Sequence, residues 1–306
     1  MECDLAIVGA GPAGLSAALY AGRRKARTVV FEEKMAGGSM NVTPVIENYP
    51  GFKSVGGLEL AKRMREQAES LETVEFVDKE VVDASGSFPA FSLKTADGQE
   101  FKAKAIILAT GAEYRKIGVP GGKEFEGRGV VYCATCDAPL FEGKAVAVVG
   151  GGNNALNTAL MLADTAKKVF LVHRREEFRA GQVLVDRLRK KGNTEFVLNA
   201  VPTKVIGKKM VSGLEYEDAR TKEKKTLEVE GVFVSIGVTP VSELAKKLGA
   251  EVTENNYVKT DLRTCATTAK GVFAAGDVTG WWRQIIAACA QGGVAATNAV
   301  EAVRQK

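Results

Sequence analysis

The sequence predicts an α/β fold with two dinucleotide-binding units, because one plan of strand, glycine-rich turn and helix is written in it twice. The first copy reads Leu5-Ala6-Ile7-Val8-Gly9-Ala10-Gly11-Pro12-Ala13-Gly14-Leu15, and the second Val146-Ala147-Val148-Val149-Gly150-Gly151-Gly152-Asn153-Asn154-Ala155-Leu156. The register continues past the turns, with Ala18 on Ala159, Leu19 on Leu160 and Glu32 on His173. The chemistry of that last pair is opposite in the two copies.

Each copy opens with an apolar, β-branched run suited to a buried parallel strand. Gly9 and Gly150 make the tight turn, and Gly11 and Gly152 let a pyrophosphate approach the backbone. Gly14 and Ala155 let helix and strand pack closely. Pro12 and Ala13 in one copy, and Asn153 and Asn154 in the other, open the helix whose unpaired N–H groups would face the phosphates. A lone Gly-x-Gly-x-x-Gly also arises for purely structural reasons; two in register, each between a strand and a helix, point to two nucleotide sites.

The second strands assign the nucleotides. Val29-Val30-Phe31-Glu32-Glu33 ends in carboxylates that can accept hydrogen bonds from ribose hydroxyls. The equivalent stretch reads His173-Arg174-Arg175, with Arg179 following, and these cations can clamp a ribose 2′-phosphate. NADP(H) is therefore expected over NAD(H). The plainer alternative is a solvated basic turn beside Glu176 and Glu177.

A chain of 306 residues is long enough for two domains. Its net charge of +5 is too mild and too dispersed to suggest a nucleic-acid partner. Met1 to Asp4 run straight into an apolar strand without the pattern of a signal peptide, so a cytoplasmic location is expected. The small, apolar stretch from Ile285 to Val300 is interrupted by Gln291 and Asn298, and no membrane span is expected.

Of 5 cysteines, Cys3, Cys265 and Cys289 stand singly and read as small buried residues, whereas Cys133-Ala134-Thr135-Cys136-Asp137 forms a motif. Zinc would need about four ligands, and with no second cysteine pair and a single histidine set among arginines, no metal is expected. A redox disulfide and two structural thiols remain. Thiols at this spacing can close a small, reducible disulfide, and a nearby helix N-terminus would stabilise the attacking thiolate. Asp137 is placed to move protons, or to serve as a cap or turn residue ahead of Ala138-Pro139.

Six strings then occur in a telling order: Gly9-Ala10-Gly11-Pro12-Ala13-Gly14, Glu47-Asn48-Tyr49-Pro50-Gly51, Ala109-Thr110-Gly111-Ala112, Cys133-Ala134-Thr135-Cys136-Asp137, His173-Arg174-Arg175 with Arg179, and Gly276-Asp277 followed by Arg283-Gln284. Over nearly its whole length the chain resembles the low-molecular-weight thioredoxin reductases. The resemblance implies two Rossmann-like domains, with an NADPH domain inserted into an FAD domain. FAD would belong to residues 1–113 and 243–306, and NADPH together with the redox motif to residues 114–242. Residues 112–118 and 237–242 lack periodicity and carry Gly or Pro, as linkers do.

By the same resemblance FAD would be held by the first turn, by Glu32 and Glu33, by Gly37, Gly38 and Ser39, and by Asn48, Val82, Thr110, Gly111 and Ala112. Asp277 would hydrogen-bond the ribitol chain, while Arg283, Gln284 and Ile285 would open a helix aimed at the flavin ring. NADPH would use the second turn, the basic cluster, and Ile236 and Gly237. Cys136 would face the flavin, Cys133 would attack a thioredoxin or glutaredoxin-like partner, and the linkers would act as hinges in a homodimer.

Ser39, Ala138, Asn157-Thr158 and Gly280-Trp281-Trp282 depart from the usual family pattern. The tryptophans could pack over the flavin or in a dimer contact, or dock a partner. Two enzyme alternatives share the fold: a dithiol oxidase that gives electrons to oxygen, and a disulfide reductase fed by another donor such as ferredoxin. The basic cluster argues against the oxidase. A flavin-binding redox sensor is the alternative from a different class.

Overall fold

The computed structural model describes residues 2–43 and 45–305, with the side chains of residues 42, 135 and 136 left outside the described set. It divides into two compact units, Met1–Glu113 with Thr239–Lys306, and Tyr114–Val238.

The first unit begins with β1 (Glu2–Val8), α1 (Pro12–Arg23), β2 (Thr28–Phe31), α2 (Gly57–Glu69), β3 (Val74–Val77), β4 (Val81–Ser87), β5 (Ala90–Thr95) and β6 (Glu100–Leu108). They form one sheet in the order β3-β2-β1-β6-β5-β4. β1 runs parallel to both β2 and β6, and β2 to β3, whereas β4 and β5 add antiparallel hairpin strands. The parallel part explains the unbroken apolar run in β1: Leu5, Ala6 and Ile7 are fully buried. On one face Phe31 meets Phe101 edge to face, with ring centroids 4.9 Å apart. Burying each large apolar side chain there contributes roughly 1.5–3 kcal/mol.

The chain leaves this unit through β7 (Ala112–Tyr114). The second unit contains β8 (Val130–Val131), the single turn α3 (Ala134–Asp137), β9 (Ala145–Val149), α4 (Asn153–Leu162), β10 (Lys168–Val172), α5 (Gln182–Arg189) and β11 (Thr194–Val197). β12 (Ala200–Gly207), β13 (Val211–Asp218), β14 (Lys224–Glu228) and β15 (Gly231–Val234) follow. A parallel five-stranded sheet in the order β11-β10-β9-β15-β8 carries the nucleotide plan, and β12-β13-β14 form a separate antiparallel sheet.

The chain returns through β16 (Val238–Pro240), which pairs with β7, and continues as α6 (Glu243–Lys247), β17 (Val272–Ala274) and α7 (Ile285–Arg304). β17 joins the first sheet beside β6. The return falls between 238 and 239, earlier than the 242/243 that the resemblance implies. Local bonding explains the difference: the Val241 N–H donates to the Gly111 carbonyl at 3.1 Å, and the Thr110 hydroxyl to the Val241 carbonyl at 2.5 Å, fastening this segment to the first unit.

α7 explains the small, apolar stretch near the C-terminus. Its Ala288, Ala295, Ala296 and Ala299 share a core with Ala13, Ala17, Ala18 and Ala21 of α1. The helices come so close that a Cβ on Gly292 would sit 2.0 Å from the Ala13 carbonyl oxygen. Small side chains are therefore a packing requirement in this helix. Among the described residues, no helix is long and apolar enough to cross a membrane.

Candidate active site

The first glycine-rich turn is built by close backbone contacts on one side and open space on the other. Gly9 holds φ +100°, a region that favours glycine, and a Cβ there would lie 2.4 Å from the Ala109 carbonyl oxygen. A Cβ on Gly14 would lie 1.8 Å from the Gly9 carbonyl oxygen. At Gly11 a Cβ would meet nothing within 4 Å among the described residues, so its missing side chain leaves a cradle over the N-terminus of α1. This is the fit that a dinucleotide pyrophosphate requires.

Alanine substitutions separate the two purposes of these glycines. Gly11→Ala has ordinary backbone angles and free space, so the unliganded fold keeps its melting temperature while the purified protein loses most of its bound flavin absorbance. Gly14→Ala forces the turn off the helix and lowers stability by about 1–3 kcal/mol. Thermal melts and the visible-to-ultraviolet absorbance ratio check both outcomes.

Of the other residues expected at this site, Glu32, Gly37, Gly38 and Gly276 lie against the turn. Glu32 accepts from the Ala10 N–H at 2.8 Å and from the Lys34 N–H at 3.1 Å, which fixes its carboxylate beside the cradle. Glu33 is exposed and pairs with Lys34 at 3.6 Å. The Gly37 N–H donates to the Ala10 carbonyl, and Gly38 approaches Gly11 closely enough that a Cβ would lie 3.3 Å from its Cα. Ser39 is exposed. Gly276 backs onto Ala13, where a Cβ would fall 2.9 Å from the alanine methyl. Beside it the carboxyl of Asp277 is pushed up by burial, an effect the Arg283 charge opposes. Asn48 donates to the side-chain oxygen of Gln284 at 3.0 Å, which ties the Asn48 loop to the start of α7, and Ile285 packs on the Met40 and Leu60 cluster. Val82 is exposed, and its carbonyl is taken by Lys247.

One residue here escaped the sequence reading. Gln291 is buried in α7, and its Oε1 accepts from the Gly276 N–H at 2.8 Å, satisfying a donor that would otherwise be orphaned. Its signal was visible, since it is a polar residue in a run of small apolar ones.

The second turn repeats the construction. A Cβ on Gly150 would lie 2.4 Å from the Ser235 carbonyl oxygen, and Gly152 again faces open space. Asn153 accepts from the Gly181 N–H at 2.9 Å, Asn154 is exposed and Ala155 is buried. Ile236 and Gly237 lie between β15 and β16, with the Gly237 carbonyl accepting from the Arg115 N–H.

The basic cluster differs from its expected form in one member. His173 is buried, its ring lies against Gly151 and stacks on Phe178 with centroids 5.1 Å apart, and Nε2 is 3.1 Å from the Glu177 carbonyl. Burial and three nearby arginines hold its pKa below the ordinary histidine value, so it is neutral at pH 7. It anchors the turn and contributes no positive charge. Arg174, Arg175 and Arg179 are exposed, and the Arg179 N–H donates to the Gly151 carbonyl at 2.9 Å, which ties this segment to the glycine turn.

Cys133 is disulfide-bonded and stands at the N-cap position of α3, while Cys3, Cys265 and Cys289 are free. Cys3 and Cys265 are buried, but Cys289 is half-buried, with the Tyr49 hydroxyl 3.8 Å from its sulfur. Cys136 lies in α3 and its side chain is outside the described residues. Asp137 ends the same turn. Its side chain caps nothing, and its buried Oδ1 has no hydrogen-bond partner among the described residues. Burial pushes its carboxyl up to about 6, which suits a group that must take and give a proton near neutrality.

Among the described residues no cluster could hold a metal ion. Trp281 and Trp282 are more than half exposed, on the loop that leads into α7.

Comparison with known proteins places these features in a family. Residues 3–292 match the model of the pyridine nucleotide-disulphide oxidoreductases. The chain is 42% identical over 298 residues to a bifunctional thioredoxin reductase/thioredoxin of Mycobacterium leprae, covering 97% of this chain and 65% of that longer protein. It is 39% identical over 306 residues to a thioredoxin reductase of Listeria monocytogenes, covering 99% and 94%. A crystal structure of thioredoxin reductase from Streptococcus pyogenes superposes with a TM-score of 0.92 at 36% identity, covering 100% of this chain and 99% of that one. The chain belongs to the pyridine nucleotide-disulphide oxidoreductase family.

Proposed function

We propose that the protein is a thioredoxin-disulfide reductase that carries electrons from NADPH through FAD and the Cys133/Cys136 pair to the disulfide of thioredoxin or a thioredoxin-like protein. The unit of residues 1–113 and 239–306 holds FAD, and that of residues 114–238 holds NADPH. FAD, when bound, supplies the step between a hydride donor and a two-electron thiol couple. On the same reading the enzyme works as a homodimer in the cytoplasm.

The observation that carries the reading is the disulfide of Cys133 placed one helical turn from a half-buried carboxyl of raised pKa. Reducing a disulfide to two thiols consumes two electrons and two protons, so a proton must be held where a sulfur needs it. Asp137 Oδ1 holds it. The glycine cradles bind the two pyrophosphates, the arginines grip the 2′-phosphate, and Glu32 presents its carboxylate to an unphosphorylated ribose.

Asp137→Asn tests the proton role in two ways. Thioredoxin reduction falls by about 10²–10⁴, and the inflection near pH 6 in the wild-type rate profile disappears. Stability moves in the opposite sense. A carboxyl raised from 3.8 to about 6 favours the folded state fully below 3.8, and that contribution is lost as pH rises through about 6. The variant therefore gains roughly 1–3 kcal/mol on the wild type between pH 4 and pH 7. A variant with full activity and an unchanged pH profile would remove Asp137 from the mechanism.

A further inference from the structure

We propose that the Lys116–Glu126 ion pair, seated on Tyr132, tunes the reduction potential of the Cys133 disulfide. This rests on reading Cys133 and Cys136 as the redox pair.

Tyr132 immediately precedes Cys133 and is held from three sides. Its ring packs at a tilt of 33° against Tyr114 with centroids 5.7 Å apart, the Lys116 Nζ sits 4.4 Å from its ring centroid, and its hydroxyl donates to Glu126 Oε1 at 3.4 Å. The other Glu126 oxygen pairs with the same lysine at 3.0 Å, closing the ring of contacts. Burial and then the Glu126 charge push the Tyr132 hydroxyl up to about 12, so it remains a neutral donor. The cluster thus holds one cation and one anion, and their effects on a neighbouring charge nearly cancel. Arg128 lies over the Phe125 ring and donates to the Glu124 carbonyl.

Reduction breaks the S–S bond and adds two electrons. With two protons it yields two thiols; with one proton, one sulfur remains a thiolate. The oxidised pair is neutral, so a net charge beside Cys133 acts only on the reduced form. Tyr132 and Cys133 are consecutive, with Cα atoms about 3.8 Å apart, so charges held on the tyrosine ring act on the neighbouring residue within a few side-chain lengths, where the ~8 Å screening length of physiological salt weakens their effect without removing it.

Glu126→Gln leaves the lysine charge uncompensated and favours the reduced pair. Lys116→Met leaves the carboxylate and favours the disulfide. We expect the dithiol/disulfide equilibrium constant to rise about threefold to tenfold in the first variant and to fall by a similar factor in the second, roughly 15–30 mV each way. The double variant returns to the wild-type value, and the single shifts shrink at high salt. A purely positional cluster would give both single variants the same sign, since both break the same pair.

The test equilibrates the full-length flavoprotein anaerobically with mixtures of reduced and oxidised dithiothreitol at pH 8. Alkylation and mass spectrometry of the peptide containing Cys133 then count free thiols. Opposite shifts that cancel in the double variant support the inference. Shifts of the same sign, or none above about twofold, overturn it while leaving the reductase reading intact. A wild-type pair that never titrates would bring down the redox reading and this inference together.

Discussion

Cys133→Ser reduces thioredoxin at least about a thousandfold more slowly than the wild type, because the thiol that attacks the partner's disulfide is gone. NADPH still bleaches the flavin in this variant, since neither glycine cradle nor the basic cluster is touched. Cys136→Ser gives the same loss of turnover by a different route, leaving Cys133 without a partner to release the mixed disulfide. Stopped-flow measurement of flavin reduction, set against steady-state thioredoxin reduction, separates the two halves of the reaction. Retention of full thioredoxin reduction by both variants would place the chemistry elsewhere, and the half-buried Cys289 would be the next sulfur to replace.

The second large effect falls on nucleotide choice. Arg174→Ala combined with Arg175→Ala removes two exposed cations from the turn that His173 anchors against Gly151. Charge-assisted hydrogen bonds to a phosphate contribute roughly 1.5–3 kcal/mol each, so the KM for NADPH rises about a hundredfold or more. The kcat is nearly unchanged, because a 2′-phosphate remote from the nicotinamide binds equally in ground and transition states. The KM for NADH moves by less than about threefold. His173→Ala behaves differently: it removes a buried ring and weakens both nucleotides together by loosening the turn.

Local patterns that the sequence writes in consecutive residues survived best. The two strand, turn and helix units are legible because a parallel strand must be apolar throughout and a pyrophosphate site must be glycine. The redox motif is legible because its residues are neighbours in the chain. What escaped reading depends on contacts between distant segments. Nothing in Thr239 to Ser242 signals that Thr110 and Gly111 hold it, so the expected return point lies a few residues beyond the observed one. His173 reads as one more cation beside its arginines, and only the packing of its ring on Gly151 shows it to be a buried anchor. Lys116, Glu126 and Tyr132 are spread along the chain, and their cluster forms only when β8 places Tyr132 at the end of the second sheet.

An anaerobic titration with NADPH tests the central claim most directly, because it counts where the electrons stop. If they pass from the flavin into Cys133 and Cys136, the wild type takes up about two equivalents of NADPH per chain, one for the flavin and one for the disulfide. Free thiols then appear on the peptide containing both cysteines, and added thioredoxin returns the yellow colour. Bleaching complete at one equivalent, with no new thiol and no reoxidation by thioredoxin, would contradict the account.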